Sequence, residues 1–145
     1  GDAGLAKRVD HAVSLVASTV KVVEEQKTHN FFGRFKLVIP DPNYSNVCFW
    51  YVPPALENIN GQEMPEDPWD LADDDIRAKA LTRVIPLIKN KMQEAGLALI
   101  TFTGRHNFFR LVYSSPLHMA ADTPLGVLRD IDNCGKDIVL TDVLK

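Results

Sequence analysis

Six consecutive apolar residues, Val47-Cys48-Phe49-Trp50-Tyr51-Val52, run straight into Pro53-Pro54. A stretch this short and this rich in β-branched and aromatic side chains reads as a strand, and its lack of alternation predicts cover on both faces. Proline has no N–H to give a ladder, so the pair at 53–54 ends the strand. A chain built around such a strand needs a sheet. At 145 residues, with 46% hydrophobic and 24% charged side chains, it has the length and composition of one domain with a genuine core.

The rest of the chain supplies partners for that strand. Leu5, Val9, Ala12, Val13, Val16, Val20 and Val23 recur at spacings of three and four, which predicts an amphipathic helix from Asp2 to about Glu25. Its many valines make it a helix that depends on packing. Arg34–Ile39 alternates as a strand, with Phe35, Leu37 and Ile39 opposite Arg34, Lys36 and Val38, and Pro40-Asp41-Pro42-Asn43 turns it back. Residues 55–73 carry Glu57, Glu63, Glu66, Asp67, Asp70 and Asp73 without a sustained period, which reads as a solvated acidic loop in which Trp69 must dock on something. A second helix runs from a cap at Asp74 or Asp75 to about Ala95, with Pro86 set to kink or divide it. Leu97–Phe102 and Asn107–Ser115 form an apparent hairpin. Pro124 then opens a third helix that ends near Gly135. Hairpin-length links imply antiparallel pairs. The expected class is α+β, with two layers and a mainly antiparallel four-stranded sheet covered by helices.

Within Asn107–Ser115, alternation places Phe108, Arg110 and Val112 on one face. A guanidinium flanked by apolar side chains cannot shed its charge and asks for an anion. A carboxylate of this chain, water at a strand edge, or an anionic ligand would each satisfy Arg110. Other chemistry is hard to find. The sequence has no glycine-rich phosphate loop, no nucleophile elbow, and no metal-type spacing among His11, His29, His106 and His118. The acidic stretch lacks a calcium-loop pattern. Cys48 and Cys134 read as inert thiols of a reducing compartment, with cytoplasm the default. A net charge of −3 gives no reason to expect nucleic acid or an anionic membrane as partner, and no apolar run or signal peptide suggests insertion.

Two segments go further. Asn46-Val47-Cys48-Phe49-Trp50-Tyr51-Val52-Pro53-Pro54, together with Asn107-Phe108-Phe109-Arg110, resembles the small C-terminal domain of the pyridoxal-phosphate-dependent acidic amino-acid decarboxylases, the glutamate decarboxylase and cysteine sulfinate decarboxylase group. Gly1-Asp2-Ala3-Gly4-Leu5 with Arg8-Val9-Asp10 is similar to that family's long helix joining its large cofactor domain to the small one. The resemblance implies a joining helix over 1–26 and a small α+β domain over 27–145. It also implies a large cofactor domain as the missing partner, a homodimer in the full enzyme, and an acidic amino acid as substrate. Arg110 falls on the arginine that binds a substrate carboxylate in the family. The cofactor lysine lies there in a His-Lys dipeptide, which this chain lacks, so no catalytic or cofactor-binding residue is expected in it and the chain alone should be inactive. Ala55-Leu56-Glu57 stands where the family carries a Ser-Leu-Arg run, and Ile100-Thr101-Phe102 where Gly-Tyr-Gln-Pro is usual, which leaves the identity of the acidic substrate open. The competing expectation is a stand-alone, non-catalytic module that binds a protein or a small carboxylate. A further expectation is that the first helix and Val47–Val52 were matched to a larger domain and leave an apolar patch.

Overall fold

The computed structural model describes residues 16–38, 46–94, 101–103, 108–112 and 124–144. Residues 16–24 form the helix α1, which buries Val16, Thr19 and Val23 at spacings of three and four. The earlier part of the expected helix lies outside the described residues. A short 3-10 turn, Gln26–His29, ends at Asn30, whose φ of 56° turns the chain. The chain then enters β1 (Arg34–Leu37) and β2 (Asn46–Val52).

The main sheet has the order β1-β2-β6-β5, with β5 at Thr101–Thr103 and β6 at Phe108–Val112, and every neighbouring pair is antiparallel. Val47 to Val52 are all buried, as the unbroken apolar run requires. The cover comes from this chain itself, which corrects the expectation that a larger domain supplies it. One face of the sheet, carrying Phe35, Phe49 and Tyr51, meets α2 (Ile76–Glu94) and α3 (Pro124–Gly135). Segment 54–71 lies over the other face, with Trp69 edge-on to Trp50 at 5.4 Å between ring centroids. This segment covers the β1–β2 part of that face, at Trp50 and Lys36, instead of lying in solvent.

That segment is not a loose acidic loop. Asn58–Ile59 (β3) and Gln62–Glu63 (β4) pair as a two-stranded hairpin across Asn60-Gly61, whose φ values of 54° and 83° make a tight left-handed turn. Leu56, Ile59, Met64 and Leu71 join the core. Asp67 caps a further 3-10 turn by accepting from the Trp69 amide at 3.0 Å.

Asp75 caps α2 through Oδ1, which accepts from the Arg77 amide at 2.8 Å. The helix runs on through Pro86 without being divided. It packs on α3 and on α4 (Leu140–Val143), a one-turn helix that buries Val143. Neither Cys48 nor Cys134 is in a disulfide, and burial pushes the Cys134 thiol above its usual range.

β1 is an edge strand, and one side chain closes its edge. The Gln26 Nε2 donates to the Phe35 carbonyl at 2.8 Å, while Gln26 Oε1 accepts from the Phe35 amide at 2.8 Å. A primary amide thus makes the two bonds that a neighbouring strand residue would make, which blunts a template for unwanted pairing. Gln26→Leu should cost about 1–2 kcal/mol, since two backbone groups lose their partners. It should also raise self-association, readable by sedimentation velocity across a concentration series.

Candidate functional site

Arg110 lies at the centre of β6, an inner strand. Its backbone faces Cys48 of β2 on one side and Thr101 of β5 on the other. An arginine at a sheet edge, one of the three options read from the sequence, does not describe this position, because the edges are β1 and β5. Pairing on both sides fixes the backbone there, as a residue that orients a ligand requires. Cross-strand partners share a face of the pleat, so this register position belongs to the face of Lys36, Cys48 and Trp50.

The described side chains of that face include a charged group at its outer end. Arg34 Nε donates to Glu57 Oε1 at 2.7 Å, and its Nη1 reaches Glu66 Oε1 at 3.5 Å. Glu57 stands where the resemblance led to an arginine, and here it neutralises one instead. Lys36 Nζ sits 3.7 Å from Glu66 Oε2 and 3.5 Å from the Glu66 carbonyl. Hydrogen bonding to Glu57 raises the Arg34 guanidinium, while burial, and then the Arg34 charge, lower the Lys36 ammonium. The two cations, Lys36 first, hold the Glu66 carboxyl below its ordinary value. Sequence reading placed Arg34 and Lys36 on one face but gave them no role. The signal was available: a lysine on the covered face of a sheet needs a counterion.

A second buried polar group went unremarked in the sequence. Asp132 of α3 is 1% exposed. Its Oδ1 accepts from the Gly33 amide at 2.9 Å and the Tyr51 hydroxyl at 2.8 Å, and its Oδ2 accepts from the Phe32 amide at 3.0 Å. Burial, then the Asp132 bond, push the Tyr51 phenol far above its usual range. A Cβ at Gly33 or at Gly135 would collide with the Tyr51 ring, so two glycines make room for it. This clasp ties helix, edge strand and central strand together, and the phenol so held is a structural group.

Pyridoxal phosphate, the cofactor implied by the resemblance, requires a lysine free to bond its aldehyde carbon. Lys36 is the buried lysine among the described residues, and it is held beneath Glu66. With no His-Lys dipeptide in the sequence, these residues do not fit the cofactor. No group of three or more His, Cys, Asp or Glu side chains among the described residues is arranged to hold a metal ion. No helix among them is long and apolar enough to cross a membrane.

Comparison with known proteins supplies the wider context. No family model matches the chain. It is 34% identical over 143 residues to the acidic amino acid decarboxylase GADL1 of mouse, covering 95% of this chain and 22% of that protein. It is 30% identical over 141 residues to rat cysteine sulfinic acid decarboxylase, covering 95% of this chain and 24% of that protein. A crystal structure of mouse CSAD superposes with a TM-score of 0.65 at 28% identity, over 95% of this chain and 25% of that one. The chain spans about a quarter of the length of the curated relatives it matches. It is a relative of one segment of these decarboxylases, and that extent fits a C-terminal domain of such enzymes.

Proposed function

We propose that this chain is the C-terminal part of a pyridoxal-phosphate-dependent decarboxylase of acidic amino acids, with glutamate, aspartate or cysteine sulfinate as the substrate class. Arg110 supplies a planar cation for a substrate carboxylate. The similarity to acidic amino-acid decarboxylases along 95% of the chain carries this reading. The inner-strand position of Arg110 supports it, because a two-pronged contact to a carboxylate needs a fixed base. On this reading residues 1–26 join a large cofactor domain to the small domain over 27–145, and the full enzyme is a cytoplasmic homodimer. The chain's own contribution is to bind and orient; bond breaking belongs to the cofactor domain.

Two assays test the division of labour. The 145-residue chain, incubated with pyridoxal phosphate and then borohydride, should retain no stoichiometric reduced adduct and should release no carbon dioxide from any of the three substrates. The same chain joined to a cofactor domain should decarboxylate at least one of them. A stoichiometric, reducible aldimine absorbance on the chain alone would overturn the assignment, as would an inactive joined protein that binds the cofactor normally.

A further inference from the structure

Along the outer edge of β1 lies an open cleft of 620 Å³, walled by Gln26, Phe31, Arg34, Phe35, Lys36 and Glu66. Its volume is that of small-molecule sites, and its lining is mainly charged and polar, which suits a small charged ligand. Lys36 is 7% exposed, yet its counterion Glu66 has a side chain 91% exposed. Charge-assisted N–H···O bonds run at about 2.7–2.9 Å, whereas Lys36 meets its acceptors at 3.5 and 3.7 Å. The Nη1 of Arg34 also reaches Glu66 only at 3.5 Å, its short bond going from Nε to Glu57. One exposed carboxylate is therefore shared loosely between two cations, one of them buried. An ion pair with so exposed a partner is weak and readily exchanged.

We propose that this cleft binds a small oxyanion, a carboxylate or a phosphate, between Lys36 and Arg34 in place of the Glu66 carboxylate. The ligand's oxygen meets Lys36 at hydrogen-bond distance, and Glu66 swings to solvent at little cost. Glu24, Glu25 and Lys27 also line the cleft and Glu57 stays on Arg34 Nε, so the site suits an oxyanion of low charge and disfavours higher charge. Phe31, half-buried, offers apolar surface to the ligand's carbon skeleton. The site does not depend on Arg110 or on decarboxylation.

The test uses the isotopically labelled chain and two probes, inorganic phosphate and succinate, titrated by amide NMR at constant ionic strength in chloride. Saturable shifts of Gly33–Lys36 with phosphate, with succinate or with both support the site, and the better probe identifies the source of the oxyanion. Glu66→Gln removes the resident anion from an exposed position and should tighten binding about threefold to fivefold. Lys36→Met should weaken it about tenfold or more. Absence of saturable shifts in both the parent chain and Glu66→Gln would overturn the proposal, and so would affinity unchanged by Lys36→Met. Should Lys36→Met fail to fold, the direction of the Glu66→Gln effect decides, because weaker or equal binding contradicts the exchange.

Discussion

Asp132→Ala is expected to be the most damaging single change to the fold, at about 3–5 kcal/mol. It strips two backbone amides and the Tyr51 hydroxyl of their acceptor, in a place where Asp132 is 1% exposed and water has little access. A domain of this size has a net stability of about 5–15 kcal/mol, so a loss of this order lowers the melting temperature by roughly 10 °C or more. Asp132→Asn should cost about half as much, since it keeps one acceptor but turns an N–H toward one of the three donors. Tyr51→Phe removes a single bond and should cost about 1–2 kcal/mol. The clasp also carries a pH signature. The Tyr51 phenol is held protonated in the folded state, whereas in the unfolded chain it ionises near its ordinary value of 10.0. Its contribution is present below that pH and is lost as pH rises above it, so stability should fall in alkali, and less steeply in Tyr51→Phe. Thermal unfolding from pH 7 to 11 reads both effects. A melting temperature for Asp132→Ala within 2–3 °C of the parent, well short of a shift of about 10 °C, would contradict this account of how α3 is tied to the sheet.

The sequence was most readable where one periodicity ruled. Val47–Val52 showed its double burial through the absence of alternation, and Pro124 and Gly135 bracket α3 with the residues a helix boundary favours. Trp69 was rightly expected to dock, although nothing local indicates that Trp50 receives it. The hairpin over 58–63 was missed because each of its strands is two residues long, too short to alternate, and only Asn60-Gly61 announces it. The acids around it looked solvated because their partners, Arg34 and Lys36, lie 20 to 30 residues away in the chain. Asp132 was invisible for the same reason: its donors are some 80 to 100 residues distant, and a lone acid on a helix carries no sign of burial. The candidate site was legible in one residue only. Arg110 stood out as a cation among apolar neighbours, while the resemblance, rather than any spacing, tied it to a substrate.

The second large effect concerns Arg110 itself, in a polypeptide that joins this chain to the cofactor domain proposed above. A charge-assisted bond to a carboxylate contributes about 1.5–3 kcal/mol net, so Arg110→Ala should lower kcat/KM on the order of tenfold to a hundredfold or more. Arg110→Lys should recover only part, because a point charge does not reproduce the planar fork. The loss should be selective if the guanidinium reads the side-chain acid: glutamate, aspartate or cysteine sulfinate should suffer more than an amino acid with a neutral side chain. Equal losses on both would assign Arg110 to the α-carboxylate. A fall in melting temperature together with activity would mark it as a structural cation. The most direct test of the central claim is therefore kcat/KM of Arg110→Ala on the preferred acidic substrate, measured beside its melting temperature. The account predicts a loss of about tenfold or more at unchanged stability. Parent-like kinetics on that substrate would show that Arg110 does not bind it.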